Sequence, residues 1–120
     1  MADAVLFIGW GTVVPGREQQ SLQVFGEGVA YWQRLQAQGD IESFEAVQLE
    51  PHGGELAGFV LIRGEREKLE QVRYSDEFLR LNARAALVVQ NFGVVAGFSG
   101  DALNQQFAMF QEQASDLTQA

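Results

Sequence analysis

The chain has 120 residues, near the commonest domain size, with 47% hydrophobic and 20% charged residues, the usage of a folded globular domain rather than a disordered one. It contains no cysteine, which excludes disulfides, thiolate metal sites and cysteine nucleophiles. Sixteen acidic against eight basic residues give a net charge of −8, a surface that repels phosphate backbones and anionic headgroups, so neither nucleic acid nor a membrane is the expected partner.

Residues 4–14 are rich in β-branched and aromatic types and run into Pro15-Gly16, which predicts a first strand and a turn. From Arg17 the period becomes helical, with Leu22, Phe25, Val29, Trp32 and Leu35 on one stripe and Gly39 as the stop. Gly26 and Gly28 weaken that helix, and a close approach of helix to sheet would account for them. Residues 41–49 predict a second strand, Pro51-His52-Gly53-Gly54 a hairpin connection and residues 56–63 a third strand. A helix is expected over 65–73, then a second piece capped by Ser75 with Phe78, Leu81 and Ala85 on its apolar side. Residues 88–98 complete the strands. Leu103, Phe107, Phe110 and Ala114 mark an amphipathic C-terminal helix over about 101–114, and the polar tail 115–120 is expected to fray. The whole of 1–120 reads as one domain with its core in 4–98.

The order βαββαβ is that of an α+β, ferredoxin-like antiparallel sheet with two helices on one face. The other face should alternate with polar residues if it met water. It does not, because Val5 and Phe7 oppose Leu6 and Ile8, Phe59 and Leu61 oppose Val60 and Ile62, and Val95 opposes Val94 and Ala96. An open apolar sheet face exceeds what a soluble monomer tolerates. A homodimer through that face is the expected partner arrangement. The C-terminal helix, folded under its own sheet or reaching across to the partner, is the rival cover.

Two stretches carry a family resemblance: Val13-Val14-Pro15-Gly16-Arg17-Glu18, where a strand runs into a helix, and Arg73-Tyr74-Ser75-Asp76-Glu77-Phe78, a broken second helix. In these the chain resembles the dimeric α+β barrel superfamily, over residues 4–98 and by pattern rather than by a diagnostic motif. The resemblance implies a cavity between sheet and helices or within the barrel. Its members include cofactor-free monooxygenases acting on aromatic polyketide-like molecules, haem-degrading enzymes and ligand-binding domains. The haem-degrading members need a helical histidine, and the only one here, His52, lies in the predicted hairpin.

Six residues are candidate ligand-binding positions. His52 is the single imidazole, though a loop histidine with Glu50 and Glu55 is too few ligands for a metal, and no metal or cofactor is expected. Trp10, in Gly9-Trp10-Gly11, offers a stacking surface or else belongs to the core or dimer interface. Tyr31 would present its hydroxyl at a cavity wall. Glu45 and Arg63 interrupt apolar strands and would pair or clasp a polar group, unless Glu45 is a solvated guard of a sheet edge. Asn91 completes the set and, with Trp10, matches by residue type what the oxygenase members use. No nucleophile elbow is present. With no signal core or membrane span, a cytoplasmic address is expected. Three functions follow: a dimer binding a small apolar or aromatic molecule, a cofactor-independent oxygenase on such a molecule, or a structural module.

Overall fold

The computed structural model describes residues 2–118. Four strands, β1 (Ala4–Trp10), β2 (Ser43–Gln48), β3 (Gly58–Gly64) and β4 (Gly93–Phe98), form one antiparallel sheet in the order β2-β3-β1-β4. The helices are α1 (Glu18–Gln38), α2 (Arg66–Arg73), α3 (Asp76–Ala86) and α4 (Gly100–Thr118). This is the ferredoxin-like α+β arrangement, with the crossover connections carried by α1 and by the α2–α3 pair.

Period-two alternation puts Leu6, Ile8, Val60 and Ile62 beneath the first three helices, where they meet Trp32, Leu35, Leu69, Val72 and Phe78 in one core cluster. Trp32 packs edge-on against Phe78 at 5.5 Å between ring centres, which locks α1 to α3. The break between α2 and α3 falls where the sequence places it. The Ser75 hydroxyl accepts from the Phe78 N–H at 3.3 Å and donates to the Val72 carbonyl at 2.8 Å, capping one helix while closing the other.

The predicted first and fourth strands were each too long. Pairing of β1 with the sheet stops at Trp10, and residues 11–14 instead run against 88–90 through Gly11 N–H to the Gln90 carbonyl (2.7 Å) and Val14 N–H to the Val88 carbonyl (2.9 Å). Asn91 adopts a left-handed φ of 54°, a turn that separates this short link from β4. The expected hairpin after β2 is likewise longer, spanning 49–57.

Two helical expectations also change. Gly26 faces open space, and Gly28 lies against Trp32 and Leu81 of α3 rather than the sheet. On α1, Val24, Gly28 and Tyr31 are buried with Trp32 and Leu35, whereas Leu22 and Phe25 face outwards, so the apolar stripe is rotated in its first half. Residues 115–118 continue α4 rather than fraying, with the Thr118 hydroxyl donating to the Ala114 carbonyl at 3.1 Å. The expected tail residues 119–120 lie outside the described residues.

Candidate functional site

α2 begins two residues after β3, so its first turns lie close over the end of the sheet. A Cβ on Gly64 would stand 3.0 Å from Leu69 Cδ2, and the Arg66 N–H donates to the Asp3 carboxylate at 3.1 Å. Leu69 and Val72 face the core. Arg66, Glu70 and Arg73, spaced one helical turn apart, therefore form a rail along the adjacent side. That rail faces the β1–β4 margin of the sheet without closing on it. A cleft of about 150 Å³ remains, floored by Ala4, Leu6, Ala96, Gly97 and Phe98 and walled by Arg66, Glu70, Arg73 and Tyr74.

The walls are electrostatically unequal. Arg66 is neutralised by Glu70, with Nε 3.4 Å from Oε1, and lies over the Phe98 ring at 5.4 Å. Arg73 is half-buried and has no carboxylate partner among the described residues. It donates one hydrogen bond, to the Val94 carbonyl at 3.3 Å, and sits 5.6 Å from the Tyr74 ring centre. A guanidinium has five N–H donors in a planar fork, so most of its capacity points elsewhere. An apolar floor beside an unneutralised arginine is an arrangement that holds a flat molecule with one acceptor or acidic edge.

None of the six sequence candidates lines this cleft. Trp10 projects to the helix side but at the opposite end of β1, roughly 20 Å away by strand rise. Its indole covers Gly58, where a Cβ would meet Trp10 Cζ2 at 2.8 Å, and touches Phe25 edge-on at 6.1 Å. It is a half-buried packing residue. Asn91 belongs to the same far end, its side chain beside Gly11. His52 staples its own loop, with Nε2 donating to the Leu56 carbonyl at 2.8 Å and Nδ1 accepting from the Gly54 N–H at 3.2 Å, so both ring nitrogens are engaged.

Tyr31 is largely buried, yet it lines the wall of a second hollow together with Arg34, Asp40 and Ser75. Burial pushes its phenol upward, partly offset by a hydrogen bond with Ser75. The hollow outside it, bridged by the Arg34–Glu77 ion pair, is polar and shallow. Glu45 and Arg63 do share a face, since Glu45 stands opposite Leu61 and Arg63 opposite Ser43, but it is the open face of the sheet and both are exposed. They form no ion pair. Arg66, Arg73 and Tyr74 are what the sequence reading missed as site residues. Arg73-Tyr74 at the helix break was visible, but nothing local said that the break borders an unfilled margin of sheet.

The open face carries Val5, Phe7, Phe59, Leu61, Val47 and Val95, with Phe7 and Phe59 stacked at 5.0 Å. Among the described residues no helix covers it.

No family profile matches the chain, and no curated protein sequence matches it. Solved structures do. A dimeric ferredoxin-like protein of unknown function from Jannaschia sp. CCS1 superposes with a TM-score of 0.61 at 9% identity, over 81% of this chain and 97% of that one. A dimeric protein of ferredoxin-like fold from Bacteroides fragilis gives 0.58 at 12% identity, over 80% and 96%. SnoaB, a cofactor-independent oxygenase from Streptomyces nogalater, gives 0.50 at 18%, over 82% and 93%. The likeness is one of fold, and about a fifth of this chain has no counterpart in these structures. Among the described residues no helix is long and apolar enough to cross a membrane.

Proposed function

We propose that the chain works as a homodimer in which each protomer binds one small, ring-sized apolar or aromatic molecule in the cleft between α2 and β4. The observation that carries this reading is the unpaired, half-buried Arg73 beside an apolar floor, in a chain otherwise rich in carboxylates. The size supports a single ring, because an apolar cavity of ~150 Å³ accepts a benzene-sized guest. Arg73 supplies the polar contact that orients it, which favours a carboxylate or carbonyl edge. The dimer is supported by the uncovered apolar sheet face and by the dimeric state of the Jannaschia and Bacteroides proteins of the same fold.

The oxygenase reading has less support. It rests on fold likeness to SnoaB, and the residues matched to it by type, Trp10 and Asn91, lie far from the cleft.

Native mass spectrometry of freshly purified protein reads subunit count and retained ligand together. The site itself is tested by NMR titration with benzoate and, separately, benzyl alcohol. Benzoate should saturate signals of Leu69, Ala96 and Phe98 and bind at least tenfold more tightly than benzyl alcohol, with Arg73→Leu abolishing that preference. Absence of saturable shifts with either probe would overturn the cleft as a binding site.

A further inference from the structure

α4 is an amphipathic helix that meets the end of β4 but whose apolar stripe has no cover among the described residues. Its 19 residues contain none that is buried, and Phe110 and Leu117 are 73% and 81% exposed. At 100° per residue Leu103, Phe107, Phe110, Ala114 and Leu117 fall within one narrow stripe, while Asp101, Glu112 and Asp116 lie on the opposite side. The helix leaves the body of the protein: the Cα radius of gyration is 17.0 Å, against ~14 Å expected for a compact chain of this length. One chain thus carries two uncovered apolar surfaces, the sheet face and the α4 stripe, and neither covers the other.

We infer that α4 is an exchanged arm, its apolar stripe seated on a second copy of this chain. This rests on the homodimer reading and deepens it. Area argues for the second copy as occupant. The open face of four strands measures roughly 19 by 20 Å from strand spacing and rise, so pairing two such faces buries only about 800 Å² in total. A stable specific interface needs about 1,200–2,000 Å². Each α4 is about 28 Å long and presents a strip about 10 Å wide, so two arms and the surfaces they cover add roughly 1,000 Å². Sheet faces alone fall short, and sheet faces with exchanged arms reach the range. The lack of basic residues on α4 and the placing of its acids away from the stripe leave a contact side free of charge to desolvate.

The test is sedimentation equilibrium on the full chain and three variants, with circular dichroism as the folding control. Phe107→Glu/Phe110→Glu places two charges on the stripe, Met109→Glu places one off it, and Phe59→Glu places one on the sheet face. The double variant should stay helical and weaken dimerisation at least a hundredfold, with Met109→Glu behaving as the native chain. If the double variant dimerises like the native chain while Phe59→Glu is monomeric, the arm is overturned and the sheet-face dimer stands. If the native chain is itself monomeric, both fall. Because α4 buries nothing in its own protomer, loss of the fold in the double variant would also overturn the arm, by showing that the stripe packs at home.

Discussion

The two faces of the sheet are built from nearly the same residues and live in different surroundings. Beneath the helices Ile62 is 0% exposed, whereas across the sheet Val95 is 56% exposed. Leu6 and Phe7 are chain neighbours of similar hydrophobicity, and the pleat alone sends one to the core and the other to an uncovered surface. Apolar side chains are thus no guide to burial in the protomer. Where helices of the same chain supply the cover, the face stabilises the fold. Where they do not, it becomes a demand for a partner.

The largest expected effect is on the covered face. Ile62→Ala should cost about 2–5 kcal/mol of unfolding free energy, read by urea denaturation, because its neighbours on both sides are held by strands and helices and cannot collapse into the space. Across the sheet, Phe59→Glu should instead remove the concentration dependence of thermal unfolding, the mark of a dimer turned monomer, while preserving helical circular dichroism. A smaller change is expected at the helix break, where Ser75→Ala loses the cap on the Phe78 N–H and about 1 kcal/mol of stability by denaturant midpoint. The smallest is visible only in alkali. Tyr31 is held protonated in the fold above the usual phenol value of 10.0, so the unfolded chain sheds its proton first. Stability from this group is therefore intact below that pH and falls as pH rises past it. Tyr31→Phe should flatten the decline in melting temperature above that pH. A steeper decline in the variant would contradict the burial of the hydroxyl.

The fold was legible because its cues are local and periodic. Pro15-Gly16, the Ser75 cap and the stripe of α4 each act within a few residues, and the elements they mark are present. Errors arose where a residue serves a distant segment. Gly11 ends β1 because the Gln90 carbonyl passes close by, where a Cβ would stand 2.9 Å from it. Asn91 was weighed as a site residue by its type, and in the fold it forms a turn through its left-handed backbone. Trp10, offered as a stacking surface or else as a core or interface residue, takes the packing place. Its neighbour in space, Gly58, explains it as packing across a strand pair.

The sequence by itself determined the strand and helix order, the doubly apolar character of the sheet and the acidic, cysteine-free surface, because these follow from composition and from periods of two and 3.6 residues. Only the tertiary structure decided which face the helices cover, that the apolar stripe of α4 stands away from both, and that Arg73 borders an apolar floor with no carboxylate paired to it among the described residues. Each of those depends on which segments meet across the chain. Pairing of that kind is set by the summed packing of the whole core, and no single stretch of residues encodes it.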